Sequence, residues 1–371
     1  MGLGAFLLLG LLYPVLGPAL PRLSEQFGLR ATGASLLLSV NSAGAVLGVL
    51  TAGALSARLS PRSRSAAAAV LLAVGCLGLA FAPSFPLALL AALVLGCGFG
   101  MLDLTTNLWL STSYGERSAA VLNLLSAAFG VGAVLAPLAV GLTGGEFRLP
   151  LLGCAALAAL LLLPLLAMPG TRPEVGASLP PSALGPGRAR TILAWFILLF
   201  LAYVAVEAGV DAWEVTHLRD ALGLSTGAAA QVSSLFWVTF TLGRLISAPL
   251  ALRLPPARLV TGTLTLAAAS LALAAIPAAA PAAYTLAGLF LAPVFTTGLV
   301  WLTRVLPGGA APTLVFAGAF VGPVLFSPVV GVMRDAFGPT AIPLTLLGGA
   351  LLALALALGL RRQLSPGGPA L

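Results

Sequence analysis

The chain has 371 residues, 60% of them apolar and only 8% charged, with a mean hydropathy of +1.10. Soluble proteins carry about 25% charged residues, so this composition excludes an ordinary soluble enzyme. The formal net charge is +8 and all eighteen bases are Arg; they stand singly or in small groups between apolar runs, which argues against a nucleic-acid-binding surface.

A helix that spans a bilayer needs about 20 apolar residues. Breaks marked by Pro, Gly and charge predict twelve such segments, near 2–20, 32–56, 65–82, 86–112, 118–142, 149–168, 190–215, 226–252, 257–276, 281–303, 310–333 and 340–360. The first begins at Met1 without a basic n-region or a cleavage site, which predicts a first span rather than a signal peptide. Residues 169–189, rich in Pro, Gly, Ser and Arg, read as a linker. The expectation is an all-α polytopic membrane protein with 12 transmembrane helices: an N-terminal six-helix bundle over 1–168, a linker over 169–189 and a C-terminal bundle over 190–371.

Alternating the sides of the spans sorts the arginines unevenly. One side takes Arg58, Arg62, Arg64, Arg117, Arg172, Arg188, Arg190, Arg244, Arg253, Arg258, Arg304, Arg361 and Arg362; the other takes Arg22, Arg30, Arg148, Arg219 and Arg334. Positive residues accumulate on the cytoplasmic side, so both termini and the linker are expected in the cytoplasm, with the protein in the cytoplasmic membrane. Arg244 is expected to snorkel to that interface.

The two halves read as copies. An offset of 195 maps Ser39, Gly48, Arg58, Leu59 and Pro61 onto Ser234, Gly243, Arg253, Leu254 and Pro256, and an offset of 190 maps Gly132, Val134, Leu135 and Gly141 onto Gly322, Val324, Leu325 and Gly331. Duplicated halves of six spans are a transporter architecture, with the substrate site near the bilayer midplane.

Polar residues inside the spans are expensive and therefore informative. Asp103 lies in the fourth span with Asn107 one turn later on the same face. In the seventh, Tyr203, Glu207, Asp211, Glu214 and His217 fall within about 120° of one face at 100° per residue, so that face is expected to line a cavity. Glu214 and His217 approach the outer surface, where water would solvate them. Neither span offers these acids a basic partner, and a carboxylate that is costly to keep charged in an apolar setting suits a group that takes a proton on one side and releases it on the other. Asp103, Glu207 and Asp211 are accordingly the proton-coupling candidates. The same acids could instead hold sodium or attract a cationic substrate.

Asn41, Asn107, Asn123, Tyr203, Trp213, Glu214, Gln231, Trp237 and Trp301 are the substrate-binding candidates. Asn41 and Asn123 line a cavity or glue helices. Trp237 offers a stacking surface for a sugar ring, whereas Trp213 and Trp109 could instead be interfacial belt residues. Arg58, Arg117 and Arg244 are gating or structural candidates, Arg117 with Glu116 in the turn after the fourth span. One His and no metal-type spacing point away from catalysis and from a metal or other cofactor, Cys76, Cys97 and Cys154 read as packing residues, and a chain without Lys has no phosphate-loop Lys.

The loop after the second span, Gly53-Ala54-Leu55-Ser56-Ala57-Arg58-Leu59-Ser60-Pro61-Arg62, resembles the major facilitator superfamily motif, with Ala57 standing where that motif has Asp. Within the superfamily, Gly96-Cys97-Gly98-Phe99-Gly100-Met101-Leu102-Asp103 followed by Asn107, Asn123-Leu124-Leu125 followed by Phe129-Gly130-Val131-Gly132, Tyr203 to Glu207 with Trp213, and Phe236-Trp237 with Gly243-Arg244 are similar to the fucose permease-like group of sugar:proton symporters. The resemblance implies the major facilitator fold, alternating access and transport of a small polar solute, a monosaccharide, with protons. It carries the span-four acid of that group onto Asp103; the first span here has no acid, and Ser126 stands where relatives often have Gln or His. An exporter of cationic or amphipathic compounds is the alternative reading. The partners expected are a small-molecule substrate, protons or sodium, and membrane lipid, with no nucleic acid, and the chain is expected to act as a monomer.

Overall fold

The computed structural model describes residues 2–113, 118–166, 185–306 and 311–364. Among these residues regular structure is helical throughout, and two helices, α1 (Gly2–Leu12) and α2 (Leu16–Phe27), share the first expected span. They meet at a 44° bend. Pro14 and Pro18, four residues apart, each remove a helical N–H donor there, which is the ordinary cause of such a kink.

The remaining helices of the first half are α3 (Ala31–Ala54), α4 (Pro61–Ala80), α5 (Phe85–Ser113), α6 (Ser118–Leu142) and α7 (Arg148–Leu166). Those of the second are α8 (Pro186–Leu222), α9 (Thr226–Arg253), α10 (Pro256–Ala274), α11 (Ala280–Val305), α12 (Ala311–Phe337) and α13 (Ala341–Gln363). Among the described residues ten helices are long and apolar enough to cross a membrane, the bent pair makes an eleventh, and the shorter apolar helix Arg148–Pro164 occupies the sixth expected span. The largest departure from expectation is α8, whose 37 residues extend the seventh span at both ends. Most of the expected linker, 169–184, lies outside the described residues.

The chain divides into two compact units, Met1–Gly176 with Asp211–Ser234, and Ala177–Val210 with Leu235–Leu371. Within each unit, glycines let helix backbones touch, the packing that membrane helices use in place of a hydrophobic driving force. In the first, Gly48 faces the backbone of Cys97 and Gly96 faces that of Asn41, joining α3 to α5. In the second, Gly243 faces the backbone of Leu289 and Gly288 that of Phe236, joining α9 to α11. Gly48 and Gly243 are equivalent at the offset of 195, as are Asn41 and Phe236, so the same contact occurs twice. The offset of 190 behaves likewise: Gly132 of α6 lies against Leu7 and Leu11 of α1, and Gly322 of α12 lies against Leu201 and Ala205 of α8. Tyr13 and Tyr203 are related by that offset too, and each packs on a phenylalanine, with ring centroids 6.0 Å apart for Tyr13 and Phe99 and 6.5 Å for Tyr203 and Phe295.

Candidate functional site

In the first unit the amide of Asn107 donates to Asp103 twice, to its carboxylate Oδ1 at 2.8 Å and to its backbone carbonyl at 3.0 Å. The i, i+4 spacing on α5 produces this clamp, which fixes the Asn107 side chain and satisfies one carboxylate oxygen. One turn earlier, Phe99 contacts Tyr13, whose ring also lies 6.0 Å from Phe129. Trp109, like Phe129, packs against a cluster of Phe6 and Leu125.

Asn41 donates to the Ala92 carbonyl at 3.0 Å. Its amide therefore ties α3 to α5, the gluing role of the two open to it. The side chain of Asn123, and both Glu116 and Arg117, lie outside the described residues. Arg58 is exposed at the end of a short 3-10 turn, Leu55–Ala57.

The part of α8 that belongs to the first unit departs from expectation. Glu214 and His217, expected to be solvated near the outer surface, are both 0% exposed. The hydroxyl of Ser233 is the polar neighbour of the Glu214 carboxylate, and neither that hydroxyl nor either carboxylate oxygen makes a hydrogen bond of good geometry. Trp213 is 0% exposed, with its indole N–H unpartnered, so it is no belt residue. The cause is close approach of the neighbouring helices: Gly17, just past the bend in α2, meets the backbone of Asp211, and Gly141 of α6 meets Gly227 and Gln231. Gln231 itself is exposed. An ion pair between Glu25 and Arg219 at 2.9 Å closes the same end.

In the second unit Tyr203 is 1% exposed, and its hydroxyl donates to the Leu291 carbonyl at 3.1 Å. Glu207, one turn along α8, is also buried, with that hydroxyl within hydrogen-bond reach and the guanidinium of Arg244 acting on its charge. A basic group that acts on Glu207 thus comes from α9, without a direct ion pair, which no reading of α8 alone could find. Arg244 does not simply extend to an interface. Its guanidinium carbon sits 4.8 Å from the centre of the Phe240 ring, a cation–π distance, and its Nε is enclosed without a hydrogen-bond partner.

Trp237 is buried against Phe236 and Phe240, with centroids 5.3 and 5.1 Å away, so packing occupies its faces. Trp301 is buried edge-on to Phe196 at 5.4 Å. The five polar residues of α8 nevertheless follow the predicted face: Tyr203, Glu207, Asp211, Glu214 and His217 are all buried, on one continuous helix.

One charged residue escaped the sequence reading. Arg64, counted there as an orientation marker, is buried and donates to the Ala52 carbonyl at 3.1 Å. Ala52 lies in the last turn of α3, where carbonyls lack helical donors, so the guanidinium caps that helix. The signal was the position of Arg64 in the first turn of the following helix, opposite the end of α3.

The described helices are those of a polytopic membrane protein. Residues 2–314 match the family model for the Major Facilitator Superfamily; the chain belongs to that family. Its fold resembles that of a D-xylose-proton symporter, with a TM-score of 0.79 and 15% identity over 100% of this chain and 98% of that one. It also resembles a variant of the fucose:proton symporter of Escherichia coli, with a TM-score of 0.64 and 18% identity over 96% and 97%. The arabinose-proton symporter of Escherichia coli (strain K12) is 35% identical over 113 residues, which make up 30% of this chain and 24% of that protein. The match thus spans about a quarter of that relative's length.

Proposed function

We propose that the chain carries a small polar solute, a monosaccharide, across the cytoplasmic membrane in exchange between two alternating states, coupled to protons. Both termini face the cytoplasm in this reading, and the six-plus-six division at the linker marks the moving halves. The solute class is supported by the symporter relatives and by the motifs around Asp103, Asn107 and Glu207. The observation that carries the coupling is the environment of Glu207.

A phenol has a single hydrogen to donate. With that hydrogen on Leu291, the Tyr203 oxygen can accept from a protonated Glu207; when Glu207 is charged, the hydrogen must turn to it or Arg244 must neutralise it. Each protonation state of Glu207 therefore has its own arrangement of Tyr203 and Arg244. Protonation removes the negative partner of the guanidinium, and loss of the proton restores it, which is the local change that coupling needs. Asp103, held by Asn107, and Asp211 are the further proton carriers, and Trp213 and Glu214, with unsatisfied buried polar atoms, are the binding residues best placed to meet a hydroxyl-rich solute.

The test uses purified protein in proteoliposomes. Labelled hexoses and pentoses should show saturable counterflow, and an imposed pH gradient should drive accumulation. Glu207→Gln should abolish the gradient-driven accumulation and keep counterflow. A pH-gradient response unchanged in Glu207→Gln removes this residue from coupling, accumulation driven by sodium replaces the proton, and ethidium efflux without sugar exchange replaces the substrate class.

A further inference from the structure

The second unit has a groove of about 290 Å³ between α9, α10 and α11. Ile246, Leu250, Leu254, Leu259, Leu266 and Leu289 form its apolar walls, while Gly243 and Gly262 contribute no side chain to fill it. Ile246, Leu250, Leu254 and Leu266 are exposed, so the groove is open along its length to whatever surrounds the spans. Arg258 is the charged residue among those lining it.

Arg258 lies in the first turn of α10, Arg253 ends α9, and Arg304 is in the last turn of α11. Consecutive spans alternate direction, so these three helix ends share one side of the membrane. All three arginines are exposed, and residues 221–334 contain neither Asp nor Glu. An apolar furrow therefore opens beside a cationic rim that no acid of these helices offsets. Basic pockets between spans are suited to anionic lipid headgroups.

We propose that this groove binds one anionic phospholipid, with its phosphate on Arg258, Arg253 beside it, and one acyl chain between Ile246 and Leu266. A zwitterionic lipid offers the same chains but brings a cationic group to the arginines. The headgroup is therefore what selects the occupant.

Native mass spectrometry of the detergent-purified full-length protein, given equal amounts of phosphatidylglycerol and phosphatidylcholine of matched chains, tests the site. The wild type should retain phosphatidylglycerol preferentially. Removing one interfacial arginine should lower that retention about fivefold, so Arg258→Gln should do so and leave phosphatidylcholine unchanged. Gly262→Phe adds a ring from a Cβ position that has no atom within 4 Å at a residue lining the groove, and should abolish the preference while every charge remains. Arg62→Gln, in the first unit, should have no effect. Equal retention of the two lipids by the wild type overturns the proposal, as does a preference that survives Gly262→Phe. An equal loss in Arg62→Gln shows diffuse surface attraction and overturns it too. Should Arg258→Gln fail to fold, Gly262→Phe alone decides.

Discussion

Glu207 and Arg244 come from different helices, and each answers a cost the other creates. A carboxylate inside a span needs a counter-charge, a proton or water, and a guanidinium stacked on Phe240 with an unsatisfied Nε is stabilised by a nearby anion. Removing one partner of such a pair leaves a charge that burial penalises, whereas removing both does not. Because Arg244 is half-exposed, Arg244→Gln should destabilise by about 1–3 kcal/mol, less than a fully buried pair would show. Glu207→Gln combined with Arg244→Gln should recover most of that loss. Thermal unfolding of the detergent-purified variants measures both, and a double variant no more stable than Arg244→Gln alone contradicts the coupling. By contrast the pair of Glu25 with Arg219 has a carboxylate side chain 54% exposed. Glu25→Gln should change stability by no more than about 1 kcal/mol in the same experiment.

How far the polar residues could be read from sequence depended on how local their partners are. Asp103 and Asn107 are four apart on one helix, and their hydrogen bond follows from that spacing. The buried face from Tyr203 to His217 was legible for the same reason, since helical period is a property of one segment. The enclosure of Glu214, His217 and Trp213 was not, because it depends on Gly17 of α2 and Gly141 of α6, which lie far from α8 in the chain. Trp237 reads as a stacking surface in isolation and as a packing residue once Phe236 and Phe240 surround it.

At the scale of elements, glycines decide which helices touch. A side chain at Gly48 or Gly132 would meet partner backbone, which cannot turn aside as a side chain could. Gly48→Leu and Gly132→Leu should each cost about 1–3 kcal/mol or more, seen as a lowered unfolding temperature and loss of monodisperse protein. Gly153→Leu, on an exposed face of α7 with no atom near its Cβ position, should stay within about 0.5 kcal/mol of the wild type. Helix propensity favours Leu over Gly at all three positions, so equal losses in all three would mean that the added apolar bulk itself, not close packing, is being measured. The first expected span is bent by 44°, where Pro14 and Pro18 each lack the N–H that a continuous helix would use.

For the whole molecule, the arginine count and the parity of the spans predict sidedness. Arg22, Glu25, Glu146 and Arg148 meet around one small pocket of the first unit, and Arg219 reaches the same Glu25, as residues placed on a common side should. At the opposite parity Arg188 donates to the Gln363 carbonyl at 3.2 Å. A cysteine at Glu146 should therefore react with an impermeant maleimide in intact cells. A cysteine at Arg362 should react only after the cells are opened, and labelling with the reverse sidedness would invert the topology. Cys76 and Cys154 are buried and Cys97 half-buried, so the native thiols give little background.

Hydropathy, helical period and the repeated Gly and Arg-Leu-x-Pro positions pointed to a helical membrane protein with two similar halves and marked the helix face that carries its acids. These are one-dimensional properties: segment length against bilayer thickness, spacing within one helix, and recurrence along the chain. Tertiary structure alone decided that Tyr203 and, without a direct ion pair, Arg244 act on Glu207, that Glu214 and His217 are enclosed, that Arg64 caps α3, and that an apolar groove opens beside Arg258. Each of these depends on which backbones approach closely across the bundle, and that approach is set by shape complementarity between segments distant in the chain.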